Sequence, residues 1–288
     1  MSTSELTSEI PKKIIITEIH SVQVGGIKNY LRELWQCREL FYLFAWRDLL
    51  VRYRQTVIGL AWIALRPLIT VLVFTLVFGK VANLPSGNIP YVLFVFAAML
   101  PWQFFSNALS EAGNSLINNT SIISKIYLPR LLIPLASLTV SFMDALVVAL
   151  LFAGVMIWFQ FLPSWQIIFL PFFIVWLVVV TFSISIWVAA LNVTYRDFRF
   201  LIPFMVQLGV YVCPVGFGSS IVPHKYQWLY YLNPLASIID GFRWSLFGAS
   251  AQQMAWQWLP LSLLTSIIIL CLGCSYFYRT EATFADRI

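Results

Sequence analysis

Apolar runs about twenty residues long recur along this 288-residue chain, and no other feature constrains its fold as tightly. Six are read: 60–80, 91–111, 131–158, 165–191, 201–219 and 257–277. A helix of twenty residues rises about 30 Å, the thickness of bilayer hydrocarbon. A water-soluble fold of this size has no means of hiding six such stretches. Composition agrees, with 60% of residues hydrophobic and 10% charged, against about 25% charged in soluble domains. The expectation is an all-α integral membrane protein with six transmembrane helices. The runs 131–158 and 165–191 exceed the minimum and are expected to tilt or to extend past the hydrocarbon.

Orientation follows from Lys and Arg, which accumulate on the cytoplasmic side of short loops. With the N-terminus inside, 15 of the 18 cations lie inside, Arg66 included, and only Lys80, Lys225 and Arg243 lie outside. Both termini are therefore expected in the cytoplasm. The formal net charge of +6 is spread over every inner loop. No single basic patch forms, so a nucleic-acid partner is not expected.

Two segments differ from plain spans. Residues 31–54, LRELWQCRELFYLFAWRDLLVRYR, place Leu31, Leu34, Trp35, Tyr42, Ala45 and Leu49 on one helical face at 100° per residue. An amphipathic helix on the membrane surface is expected there. Residues 220–250 are apolar and aromatic, but Pro223, Pro234 and Gly241 cut them into pieces too short to span. Short outer helices re-entering the membrane between spans five and six are expected, at the mouth of a pathway. Irregular backbone at membrane depth is tolerated only against protein or along a water-filled cavity. The alternative is a cap lying on the outer surface. The domain reading is a cytoplasmic extension at 1–30, an interface helix at 31–56, a six-helix domain at 57–280 and a cytoplasmic tail at 281–288.

Enzymatic chemistry is not legible. The sequence holds no G-x-x-x-x-G-K phosphate loop. His20 and His224 are too far apart in the chain to suggest a zinc site. Cys271 and Cys274 are spaced C-x-x-C, but inside an apolar run, and they read as membrane-embedded side chains rather than a redox or metal pair. Asp144 alone lies deep in a span, where a carboxylate needs a partner, so an ion-coupled carrier has little to work with. A membrane glycosyltransferase would need an acidic pair on an inner loop, and Asp197 stands alone there. What remains is transport with energy supplied by another chain.

An ordered set of short motifs carries a resemblance. It comprises Trp46-Arg47-Asp48, Val51-Arg52-Tyr53-Arg54-Gln55-Thr56, Gly59 and Trp62, then Leu100-Pro101-Trp102-Gln103-Phe104-Phe105 and Lys125-Ile126-Tyr127-Leu128-Pro129-Arg130. Asn192 to Arg199, Asn233-Pro234 and Phe284-Ala285-Asp286 complete it. In this order over 31–288, the chain resembles the membrane subunit of ABC-2 type polysaccharide exporters, the Wzm-like O-antigen and capsule permeases, with teichoic-acid permeases as relatives. The resemblance implies a homodimer working with two copies of a P-loop ATPase subunit, which binds the ATP and Mg. This chain itself would carry no cofactor. It also implies a polysaccharide on undecaprenyl diphosphate, moved from the inner to the outer face of the bacterial inner membrane. A permease for a small lipid or drug is the alternative within the same family.

Candidate sites follow from both sources. By resemblance, the inner loop 112–130 holds the coupling helix that docks on the ATPase, with Lys125 and Arg130 as its charged groups. Arg196, Asp197 and Arg199 form a similar loop. Each cation is equally read as plain topology control. Arg47, Arg52 and Arg54 lie at the level of lipid phosphates, and Arg66 lies about 9 Å inside span one by helix rise. Guanidinium groups match phosphate through paired hydrogen bonds, so these four are candidates for the substrate diphosphate at the entrance, or for ordinary anionic lipid. Tyr91, Trp102, Tyr211, Trp228, Tyr230, Tyr231, Phe242 and Trp244 are candidates for an aromatic lining and outer gate on which sugar faces stack. Each alone reads first as part of an interfacial belt, and the cluster of Trp228, Tyr230, Tyr231, Phe242 and Trp244 is a better candidate than any one of them.

Overall fold

The computed structural model of the protein describes residues 27–54, 59–123, 125, 128–195, 197–250 and 254–284. Most of the expected N-terminal extension, half of the expected C-terminal tail, Gln55, Thr56, Ile126, Tyr127 and Arg196 lie outside the described residues, and so does the side chain of Arg54.

The described residues are helical, without a strand. Helices α1 (Ile27–Gln36) and α2 (Arg38–Arg54) meet at a break on Cys37. Next comes α3 (Gly59–Phe74), which widens into a π-turn at Thr75–Val81. The long α4 (Tyr91–Asn118) is followed by the single turn α5 (Thr120–Ile123) and by α6 (Leu132–Trp158). A 3₁₀ turn at Trp165–Phe169 leads into α7 (Leu170–Thr194), and α8 (Phe198–Val212) follows. Two short helices, α9 (His224–Tyr230) and α10 (Pro234–Phe247), precede α11 (Leu259–Glu281).

Five described helical segments are long and apolar enough to cross a membrane: Trp62–Val81, Tyr91–Asn118, Leu132–Trp158, Trp165–Thr194 and Trp256–Glu281. The protein is thus a multi-pass membrane protein. The expected fifth run, 201–219, behaves differently. Its helix stops at Val212 after 15 residues, a rise of about 22 Å. Pro214, Gly216 and Gly218 follow, and the chain turns there instead of extending the helix. Hydropathy over this run counts apolar side chains and misses the backbone-breaking residues among them.

Helix α4 is the hub. It packs on α6 and α7 along its length, and α3, α8 and α10 close around it. The core is aromatic and aliphatic, centred on Phe94, Phe96, Phe152, Phe173 and Trp176. Two glycines permit its closest contacts. A Cβ at Gly241 would overlap the Phe173 ring, so α10 seats against α7 only with glycine there. A Cβ at Gly273 would lie 2.6 Å from the Ser183 carbonyl oxygen, which fixes the distance between α11 and α7.

The expected amphipathic face of 31–54 is divided. Trp35 and Tyr42 are exposed while Ala45 is buried. On α2 the polar residues Arg52 and Tyr53 reach α6, and the exposed positions include Tyr42, Leu43, Trp46 and Leu50. In a lipid setting, apolar residues have no reason to turn inward, whereas charges seek partners. The expected inner loop 112–130 is also shorter than read, because α4 continues to Asn118. The broken segment 220–250 does form two short helices. Of these, α10 is buried at every position except Trp244.

Candidate functional site

At the end of the bundle that holds α9 and α10, an irregular loop follows α8. Its backbone carbonyls at Val215, Gly216 and Phe217 receive no backbone N–H among the described residues. Side chains satisfy all three. Arg243 Nη2 donates to the Val215 oxygen at 2.8 Å and Nη1 to the Phe217 oxygen at 2.9 Å. The Tyr91 hydroxyl donates to the Gly216 oxygen. Arg243 Nε also reaches the Phe94 carbonyl at 3.1 Å, and its guanidinium lies 3.6 Å from the Phe94 ring centroid. Arg243 is 0% exposed. One turn earlier on α10, Asp240 accepts from the hydroxyls of Ser219 at 2.5 Å and Tyr231 at 2.9 Å. Side chains of α4 and α10 thereby hold a non-helical loop whose carbonyls would otherwise be orphaned.

At the opposite end, α2 is tied to α4 and α6 by charge. Arg52 Nη2 pairs with Asp144 Oδ2 at 2.7 Å, and Nη1 pairs with Glu111 Oε1 at 2.8 Å. The Tyr53 hydroxyl donates to Asp144 Oδ1 at 2.8 Å. Burial, reinforced by Asp144, pushes the Tyr53 hydroxyl up to about 12. Arg47 pairs with Asp48 at 2.7 Å and donates to Asn119 Oδ1 at 2.8 Å. A polar cavity of about 550 Å³ lies between these groups and α5, with Ser115, Asn118 and Ser121 in its wall. Asp144, 1% exposed, thus has both the cationic and the hydroxyl partner that a buried carboxylate requires.

A third contact closes the same end. The Arg130 backbone N–H donates to Glu281 Oε1 at 2.8 Å, and the Arg130 guanidinium lies 5.9 Å from the Phe284 ring. Burial, with Glu281 close by, raises the Tyr30 hydroxyl well above its ordinary value. Between α4, α6, α7 and α10, a crevice of about 750 Å³ is lined almost wholly by apolar side chains, among them Phe104, Phe142, Phe152 and Leu246.

The candidate residues divide on this geometry. Lys125, Asp197 and Arg199 are exposed, while Arg130 is half-buried and turned toward Phe284. Arg47 and Arg52 are engaged by carboxylates. Arg66 is exposed on α3 before Pro67. Among the aromatic candidates, Trp102, Tyr231 and Phe242 are core residues rather than lining, because they fill space between helices. Tyr91 is committed to Gly216, and Trp244 packs on Phe169 and Trp256. Tyr230 is half-buried against Tyr231. Tyr211 and Trp228 present exposed rings, at 60% and 50%. The sequence reading missed the role of Arg243, which counts there as an outer-side cation. The signal available was Asp240 and Arg243 three apart in an apolar helix, a spacing that stacks them on one face.

Comparison with known proteins agrees with this architecture. A chain named O-antigen export system permease protein RfbA from Klebsiella pneumoniae is 28% identical over 252 residues, covering 86% of this chain and 94% of that protein. A protein of the same name from Myxococcus xanthus is 25% identical over 261 residues, covering 90% of this chain and 98% of that protein. The family model for ABC-2 type transporters matches residues 39–247, from the first turn of α2 through the whole of α10. With most of its helical bundle inside that match, the chain belongs to the ABC-2 type transporter membrane family.

Proposed function

We propose that this chain is the membrane subunit of an ATP-driven exporter that carries a polysaccharide on undecaprenyl diphosphate across the bacterial inner membrane. The observation that carries the reading is the near-complete coverage of two O-antigen export permeases, 94% and 98% of their lengths. In this reading α8 counts as a sixth, short span, both termini are cytoplasmic, and α9 and α10 are re-entrant helices at the outer mouth. Two copies of the chain enclose the path. Two copies of an ATPase subunit bind ATP and Mg and press on α5, Lys125 and the loop around Asp197 and Arg199. Arg66 remains the freest candidate for the diphosphate, since Arg47 and Arg52 already face carboxylates. Tyr211 and Trp228 are the proposed aromatic contacts of the polymer.

Copurification with a candidate P-loop ATPase subunit, followed by ATP hydrolysis in the reconstituted complex, tests the coupling. Lys125→Glu combined with Asp197→Lys is expected to uncouple hydrolysis from assembly while leaving the membrane subunit folded. Failure to copurify, or hydrolysis indifferent to both changes, overturns it. Export is read separately as surface polysaccharide. Loss on deletion of the chain, with return on its re-expression, is the expected result.

A further inference from the structure

Helix α4 is covered on all sides but one. From Leu93 to Leu116 the positions that are not buried are Leu100, Gln103, Asn107, Ser110, Glu111 and Asn114. Five of these six are polar, on a helix that crosses the membrane. At 100° per residue, Gln103, Asn107, Ser110 and Asn114 form one stripe spanning about 16 Å along the axis. Its edges are defined by contacts. On one side, a Cβ at Gly113 would meet Ile202 of α8, and a Cβ at Gly209 of α8 would meet the Trp102 ring. On the other side, Glu111 pairs with Arg52 of α2. The stripe therefore opens between α8 and the α2–α3 arm, the one sector that α6 and α7 leave uncovered.

Neutral amides and hydroxyls facing hydrocarbon lose their water partners and gain nothing. Here Gln103 Nε2 donates to Asn107 Oδ1 at 3.1 Å, which leaves the Asn107 NH₂ group and Gln103 Oε1 without partners among the described residues. A second observation comes from another helix. Asn192 of α7 is 1% exposed and donates to Asn114 Oδ1 at 3.1 Å and to the Gly113 carbonyl at 2.9 Å. Its own Oδ1 is buried with no partner. Between Leu100 and Ser110 the stripe holds no charged side chain, so it offers nothing that selects an ion. Gln103 and Asn107 offer an open acceptor and open donors, while Ser110 Oγ and Asn114 Nδ2 each donate to a carbonyl one turn back and keep their remaining hydrogen-bonding capacity.

We infer that Gln103, Asn107, Ser110 and Asn114 form a binding track for a neutral polyhydroxyl chain, contacting its sugar hydroxyls inside the membrane. This rests on the proposed polysaccharide export and adds its contact surface. Carboxamides exchange hydrogen bonds with hydroxyls at little net cost, which suits a chain that must slide rather than stay.

The test uses the complete complex in cells that make their native polysaccharide, with surface polymer measured by periodate-based sugar staining. Gln103→Met and Asn107→Leu together preserve side-chain size, touch no bond to another helix and are better suited to lipid than the native groups, so membrane insertion is retained. Surface polymer is expected to fall at least tenfold, with the level of the membrane subunit unchanged. The polar control Gln103→Ser with Asn107→Ser is expected to retain at least a third of export. A photoreactive benzoylphenylalanine at position 107 is expected to attach polymer, and one at Leu150, exposed on α6, is not. Normal export by the apolar double variant, or attachment at 150 and not at 107, overturns the track. Absence of any polymer export by the unaltered chain refutes the underlying reading instead.

Discussion

Replacing Arg243 by Met isolates what the guanidinium does for the loop after α8. Met keeps the unbranched stem and removes the donors. Two loop carbonyls, Val215 and Phe217, then lose the donor that reaches them, while Gly216 keeps Tyr91. Hydrogen bonds to a charged donor contribute about 1.5–3 kcal/mol each, so the two amount to roughly 3–6 kcal/mol. Removing a buried cation also relieves several kcal/mol of desolvation cost. Part of that relief is absent here, since the guanidinium sits on the Phe94 face. A net local destabilisation of about 3 kcal/mol is the working figure, a factor of roughly a hundred in the population of loop-open states. Cys213 reports on it. This thiol is buried at the junction of α8 and the loop, with Asn233 Nδ2 at 3.3 Å from its sulfur. In a Cys37→Ser, Cys271→Ser, Cys274→Ser background, purified protein in mild detergent is treated with a maleimide. When loop opening is fast, labelling of Cys213 scales with the open population. Arg243→Met is expected to label about a hundredfold faster, and Arg243→Lys to fall between. Rates within threefold of each other, in protein that remains folded, would refute the claim that Arg243 holds the loop.

Other consequences are equally direct. Arg52→Met leaves Asp144 buried without its cation, so it is expected to lower thermal stability in detergent by about 3–5 kcal/mol. The double change Arg52→Met with Asp144→Leu should be more stable than Arg52→Met alone, and equal or lower stability would argue against the ion pair. Gly241→Ala drives a methyl into the Phe173 ring and is expected to cost about 1–3 kcal/mol. Phe173→Leu in the same chain should restore at least half of the loss. Gly273→Ala forces α11 away from the Ser183 carbonyl and should cost a similar amount. Wild-type melting behaviour there would show that the α7–α11 spacing is slack.

The long helices were legible because length and apolar content are what a bilayer reads. Candidate runs at 91–111 and 131–158 correspond to α4 and α6, with α4 extended by a turn or two. What hydropathy averaging hides is the backbone. The run at 201–219 is apolar throughout, yet Pro214, Gly216 and Gly218 end its helix early. Averaging also hides polar position. Gln103, Asn107, Ser110 and Asn114 recur every three or four residues, but each is diluted by apolar neighbours, and the sequence reading used only Gln103, as part of a motif. The face read over 31–54 is divided because the segment is two helices that meet at Cys37, and because Arg52 and Tyr53 turn toward Asp144. Asp144 needed a partner on energetic grounds, and only the fold shows that Arg52, far away in sequence, supplies it. The aromatic candidates are divided by burial for the same reason. Trp102 and Phe242 have belt-like composition, but burial is a property of helix packing.

The grip of Arg243 on the Phe94 carbonyl joins residues 149 apart in the chain. A ribosome adding about 5–20 residues per second needs roughly 7–30 s to pass from one to the other. For that interval α4 is already made, and the half that carries Phe94 awaits a helix that has not emerged. The chain after α8 is produced before the side chain that satisfies its carbonyls. Assembly of this end therefore follows α10, and a nascent chain halted between α8 and α10 leaves the Val215 and Phe217 carbonyls without their donor. Stretches of this kind are where a membrane chaperone or a quality-control protease would find its substrate, which makes the timing of synthesis a part of how this end of the protein is built.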